Sequence, residues 1–60
     1  MKIAFEVIRE YYVGKAGTDG LAYEVIQTFA DKANALACAE AKNALTDGSE
    51  TFYVEVIRGS

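Results

Sequence analysis

The sequence predicts an α+β fold: a three-stranded antiparallel sheet, order 2-1-3, with one alanine-rich helix packed on one face, in chain order β-β-α-β. Three observations carry this expectation. Three segments alternate with period two and are rich in Val, Ile, Phe and Tyr, which marks strands. One segment of sixteen residues is dominated by alanine, the best helix former. Glycines gather at 14–20 and recur at Gly48, between the periodic segments. Sixty residues make a single domain, 1–60.

The first strand is KIAFEVIREYYV, residues 2–13. Ile3, Phe5, Val7, Tyr11 and Val13 share one parity, and Lys2, Ala4, Glu6, Ile8, Glu10 and Tyr12 share the other. Arg9 interrupts the apolar parity, which places it near an edge with its head snorkelling to water. GKAGTDG, residues 14–20, is a turn composition. The next run, LAYEVIQTF at 21–29, alternates again with Leu21, Tyr23, Val25 and Phe29 together, so the two runs form a β-hairpin. If Val13 sits opposite Leu21, Ile8 pairs with Ile26 and Glu10 with Glu24.

From Ala30 the period changes. In ADKANALACAEAKNAL, Asp31 is a plausible N-cap, with Thr28 a rival capping residue three positions earlier. At 100° per residue, Ala30, Ala33, Ala37, Ala41 and Ala44 gather on one side, flanked by Leu36 and Leu45, while Lys32, Ala35, Ala39, Lys42 and Asn43 face away. Gly48 is a stop signal. The last strand is ETFYVEVIR, residues 50–58. The long first strand belongs at the sheet centre, with order 1-2-3 as the alternative, which needs a parallel pair and a right-handed crossover.

Glu-Val-Ile occurs three times, in AFEVIRE, AYEVIQT and YVEVIRG. One helix covers one face of a three-stranded sheet. The parity that holds Val7, Val25 and Val56 also holds most of the aromatic residues and is expected to meet the helix. The opposite parity then forms an uncovered face of Glu6, Ile8, Glu10, Tyr12, Glu24, Ile26, Tyr53, Glu55 and Ile57. This is an isoleucine and tyrosine patch flanked by carboxylates, with Lys2 its only base. Such a patch fits a protein partner with a basic surface, or a second copy of the chain in a homodimer. An ordinary solvated sheet face would have a similar composition.

The formal net charge is −3. That disfavours direct binding to nucleic acid, because phosphate neutralisation by Lys and Arg supplies most of that affinity. Carboxylates around Tyr12 and Tyr53 likewise argue against base stacking. There is no histidine, so neither a His general base nor a Cys-His or Ser-His arrangement is available, and a non-enzymatic role is expected. Gly14-x-x-Gly17-x-x-Gly20 precedes a strand, whereas a phosphate loop opens a helix. Asp19 and Asp47 lie in separate turns and make no calcium loop. No metal or cofactor is expected. The single cysteine, Cys38, excludes an internal disulfide and reads as a small side chain at the rim of the helix. No apolar run approaches the ~18 residues of a membrane span. MKIAFEVIREYY does not read as a signal peptide, so a cytoplasmic setting is expected.

A hairpin, then TFADKANALACAEAKNAL, then FYVEVIRG resembles in layout the small β-β-α-β proteins of phages and mobile elements, including anti-CRISPR inhibitors. The likeness spans most of the chain and carries no motif that transfers residue by residue. Immunoglobulin-binding bacterial domains share the hairpin and helix but continue into a second hairpin, where this chain has one strand. The inhibitor resemblance implies docking on a host protein without chemistry, by steric block or by DNA-mimicking charge at Glu6, Glu10, Glu24 and Glu55.

Overall fold

The computed structural model describes residues 2–14 and 20–59. Strand β1 spans Lys2–Val13, β2 Gly20–Phe29, helix α1 Lys32–Leu45 and β3 Glu50–Gly59. The sheet order is β2-β1-β3, and both pairings are antiparallel. The expected architecture and strand order are both present. Most of the expected turn, residues 15–19, lies outside the described residues. Its flanks, Gly14 and Gly20, have φ of 89° and 117°, values that favour glycine.

The β1–β3 register is regular, from Lys2 opposite Gly59 to Tyr11 opposite Glu50. The hairpin register is not. Phe5, Val7 and Glu6 meet Phe29, Gln27 and Thr28, but Ile8 meets Val25, Arg9 meets Glu24 and Tyr12 meets Leu21. Ile26 is the extra residue of a β-bulge between Val7 and Ile8. The expected register therefore holds on one side of the bulge and is shifted by one on the other. A shift of one exchanges the two faces. Leu21, Tyr23 and Val25 lie on the face away from the helix, while Ala22, Glu24 and Ile26 lie on the helix side.

The core is small. Val7 is fully buried, and Ala35 and Ala39 pack on it, surrounded by partly buried Phe5, Ile26, Phe29, Cys38, Phe52 and Val54. Complete burial of a side chain like Val7 stabilises by about 1.5–3 kcal/mol relative to exposure. The helix presents Ala35, Cys38 and Ala39, and not the expected stripe of Ala33, Ala37, Ala41 and Ala44, which is exposed. Alanine occurs all round α1, so apolarity alone did not orient it. Phe5, Phe29 and Phe52 of the sheet pack against the small side chains of Ala35 and Ala39.

Capping and edge contacts settle the rest of the helix. Asp31 is the N-cap, accepting from the Ala33 N–H at 3.0 Å. Near the C-terminus, the Asn43 amide grips the backbone of β3: its Nδ2 donates to the Phe52 carbonyl at 2.7 Å, and its Oδ1 accepts from the Phe52 N–H at 2.8 Å. The chain then turns through Gly48, whose φ is 98°, with the Asp47 carboxylate accepting from Ser49 N–H at 3.0 Å.

Arg9 is not near an edge. It lies on the central strand, on the helix side, and bridges both neighbouring strands. Its Nε donates to Glu50 Oε1, its Nη1 lies 3.6 Å from Glu24 Oε1, and its guanidinium sits 4.0 Å from the Tyr11 ring centroid. The hydrogen bond to Glu50 raises the Arg9 pKa further above its usual value. Among the described residues, no helix is long and apolar enough to cross a membrane.

Candidate functional site

The face of the sheet opposite α1 is built by alternation from all three strands. β1 contributes Glu6, Ile8, Glu10 and Tyr12, and β3 contributes Tyr53, Glu55 and Ile57, as their parity predicts. From β2 the bulge brings Leu21, Tyr23 and Val25. Glu24 and Ile26, both expected here, are on the other side: Glu24 faces Arg9 and Ile26 packs on the core. The expected pairs Ile8–Ile26 and Glu10–Glu24 do not form, and Val25 and Tyr23 take those places.

At the centre of this face stands Ile8, only 6% exposed although no helix covers it. Val25 and Tyr53 flank it across the two ladders, and it lies outside the cluster under α1. Around it the apolar side chains are open: Tyr12 is 65% exposed, Tyr23 60%, Val25 50%, Leu21 44% and Ile57 41%. Scattered apolar exposure is common on small proteins, but here Val25, Ile8 and Tyr53 adjoin across three strands, with Tyr23, Tyr12 and Leu21 toward one end and Ile57 beyond the Glu6–Glu55 pair at the other.

Carboxylates are set into this patch. Glu6 stands directly opposite Glu55, and Glu10 lies between Tyr23 and Thr51. Like charges opposite one another in a sheet are destabilising. Tyr53 responds to its surroundings: loss of solvent, then the charges of Glu55 and Glu10, raise the pKa of its hydroxyl. Lys2 is the one base that the register puts on this face among the described residues. The arrangement offers an apolar surface, hydroxyls and carboxylate acceptors, which suits contact with Arg and Lys side chains.

Among the described residues, no group of three or more Cys, Asp and Glu side chains is placed to hold a metal ion. Cys38 is half-buried with its Sγ 4.0 Å from Gln27 Oε1, on the helix side.

The three β2 residues missed by sequence reasoning had one signal available. Arg9 falls on the helix-side parity, where a buried-side cation needs an anion. Glu24 reaches it only if β2 slips by one residue before Val7. No family model matches this chain, and neither a curated protein nor a solved structure does.

Proposed function

We propose that the protein is a small acidic binding protein, without catalytic chemistry, that docks on a basic surface of a host protein through the uncovered sheet face. An inhibitor of the phage-encoded, anti-CRISPR type, acting in the cytoplasm by steric block or by imitating the charge of DNA, fits this description. The observation that carries the reading is the coexistence of Glu6, Glu55 and Glu10 with the open apolar side chains of Tyr12, Leu21, Tyr23, Val25 and Ile57 on one face. A sheet selected only for stability has no need to oppose two glutamates on such a surface. A basic partner would relieve that repulsion on binding, so the charge is matched to the partner and not to the isolated chain.

The same charges disfavour the alternative of a homodimer through this face. Stacking two copies would bring each set of carboxylates against its own kind in a partly desolvated layer.

The test uses capture from host lysate followed by mass spectrometry, with three baits: wild type, Glu6→Arg/Glu55→Arg, and Tyr23→Ser/Val25→Thr. A basic protein retained by wild type and lost by both variants, each folded by circular dichroism, is the expected result. Equal capture by all three removes the docking face. A plasmid-interference assay in a CRISPR-active host then tests inhibition: plasmid survival should rise with wild type and not with Glu6→Arg/Glu55→Arg.

A further inference from the structure

We propose that two copies of the chain associate edge to edge through β3, forming a continuous six-stranded antiparallel sheet. The sheet has two edges. The β2 edge carries the bulge at Ile26, a device that discourages strand pairing. The β3 edge has a regular register along its whole length. In an antiparallel strand the N–H and C=O of one residue point the same way, and neighbours alternate. Asn43 bonds both backbone groups of Phe52. The outward set is therefore Phe52, Val54, Val56 and Arg58. Asn43 occupies the first, and the other three have no backbone partner among the described residues.

A groove of about 480 Å³ runs beside this edge, between α1 and β3, lined by Leu36, Ala39, Glu40, Asn43, Phe52 and Val54 among others. Leu36 on its helical wall is 47% exposed, and Val56 farther along the strand is 45% exposed. Among the described residues, the buried apolar side chains are Val7, Ile8, Ala35 and Ala39. A domain of this size gains most from burying further apolar surface by association.

Charge and hydrogen bonding select one register. Pairing Val56 with its own copy sets Val54 opposite Arg58 of the second chain, and each such pair exchanges two N–H···O=C bonds. It uses the three unoccupied residues and leaves Phe52 to Asn43. The neighbouring register, centred on Glu55, would place Glu55 against its copy and require the Phe52 groups that Asn43 already holds. In the selected register Arg58 of the second copy lies beside Val54 on the helix side, where Glu40 lines the groove. Neither Arg58 nor Glu40 has an ion-pair partner within the chain among the described residues. The two helices then lie on one side of the joined sheet with their Leu36 side chains facing the shared edge. The docking face stays open on the other side, so this inference is independent of the proposed function.

Sedimentation velocity from micromolar to millimolar concentration tests it. Wild type should approach twice the 6.5 kDa of one chain. Val56→Pro should stay monomeric with an unchanged circular dichroism spectrum, because the Val56 N–H points away from β1 and proline is tolerated at such an edge. Arg58→Glu should weaken association by roughly tenfold, and Glu40→Arg/Arg58→Glu should restore it. This second pair keeps the test decisive if the proline variant does not fold. A wild type that is monomeric throughout overturns the proposal. So does a dimer that survives Val56→Pro and is lost on Tyr23→Ser/Val25→Thr, which would place the interface on the outer face. A dimer indifferent to both Arg58→Glu and the double swap also overturns it.

Discussion

Glu55→Lys should make the protein more stable while weakening the surface proposed to bind. Glu6 and Glu55 are directly paired across β1 and β3. Opposed Cβ atoms in an antiparallel pair are about 5 Å apart, and two unit charges at that spacing, fully screened by water as on this open face, interact by about 1 kcal/mol. Lysine at position 55 removes the repulsion and substitutes an attraction of similar size. The expected gain is about 1–2 kcal/mol, or roughly 8–16 °C in Tm for a domain this small. Glu55→Gln should give about half, since it removes the repulsion alone. Thermal unfolding at fixed protein concentration, in low salt and in 1 M NaCl, separates charge from packing, because the Debye length falls to about 3 Å at the higher salt. The gain should shrink there. A Tm for Glu55→Lys equal to or below that of wild type in low salt would refute the reasoning that these acids are held at a cost to the fold. A gain that persists in full at high salt would refute its electrostatic origin. Alkaline titration of tyrosinate absorbance supplies a local check, since Glu55 is one of the groups that raise the Tyr53 pKa, and the variant should lower it.

Other substitutions divide the roles of neighbouring residues. Ile26→Ala should cost about 1–3 kcal/mol in urea unfolding and leave partner capture intact, because Ile26 packs on the helix-side core. Val25→Thr should do the reverse, with a small change in stability and a loss of capture. Asn43→Asp keeps the acceptor for the Phe52 N–H but removes the donor to its carbonyl, so a loss of about 1 kcal/mol is expected by denaturant titration. For Tyr53, the raised folded pKa means that the folded state holds the hydroxyl proton more tightly than the unfolded chain. Its contribution is present below the unfolded value of about 10 and is lost as pH rises through the folded pKa. Wild type should therefore lose Tm more steeply than Tyr53→Phe above about pH 10, and parallel curves would exclude this linkage.

The strands were legible because alternation survives in each of them, and the strand order followed from the length of β1. The faces of β1 and β3 were also legible, since their mutual register has no interruption. The failures have two physical sources. A bulge adds one residue to one strand and is invisible to a period-two count, so the EVI of β2 reads the same as the other two while its side chains point oppositely. In the AYEVIQT copy Glu24 and Ile26 belong to the helix side and Val25 to the outer face. The second source is alanine. A helix with methyl groups on every side has no strong apolar direction, and α1 was oriented instead by the aromatic side chains beneath Ala35 and Ala39 and by the Asn43 grip on Phe52. Neither constraint is local to the helix sequence.

The bulge also connects the fold to both proposals. By turning Leu21, Tyr23 and Val25 outward it enlarges the apolar surface around Ile8, and by turning Glu24 inward it neutralises Arg9. Compared with a regular hairpin, the outer face thus exchanges Ala22, Glu24 and Ile26 for Leu21, Tyr23 and Val25, losing one carboxylate and gaining a tyrosine. That weakens a pure imitation of DNA charge and favours a mixed protein interface, with an apolar centre and three acids around it. The same bulge disrupts the β2 edge and leaves β3 as the regular one. Edge pairing at β3 would extend the outer face rather than hide it, setting two such patches in one sheet. If a partner presents two basic sites within that span, the second contact is intramolecular, and Val56→Pro should then lower affinity without touching a docking residue. A partner with one site should bind Val56→Pro as tightly as wild type, which makes the comparison a measure of partner valency.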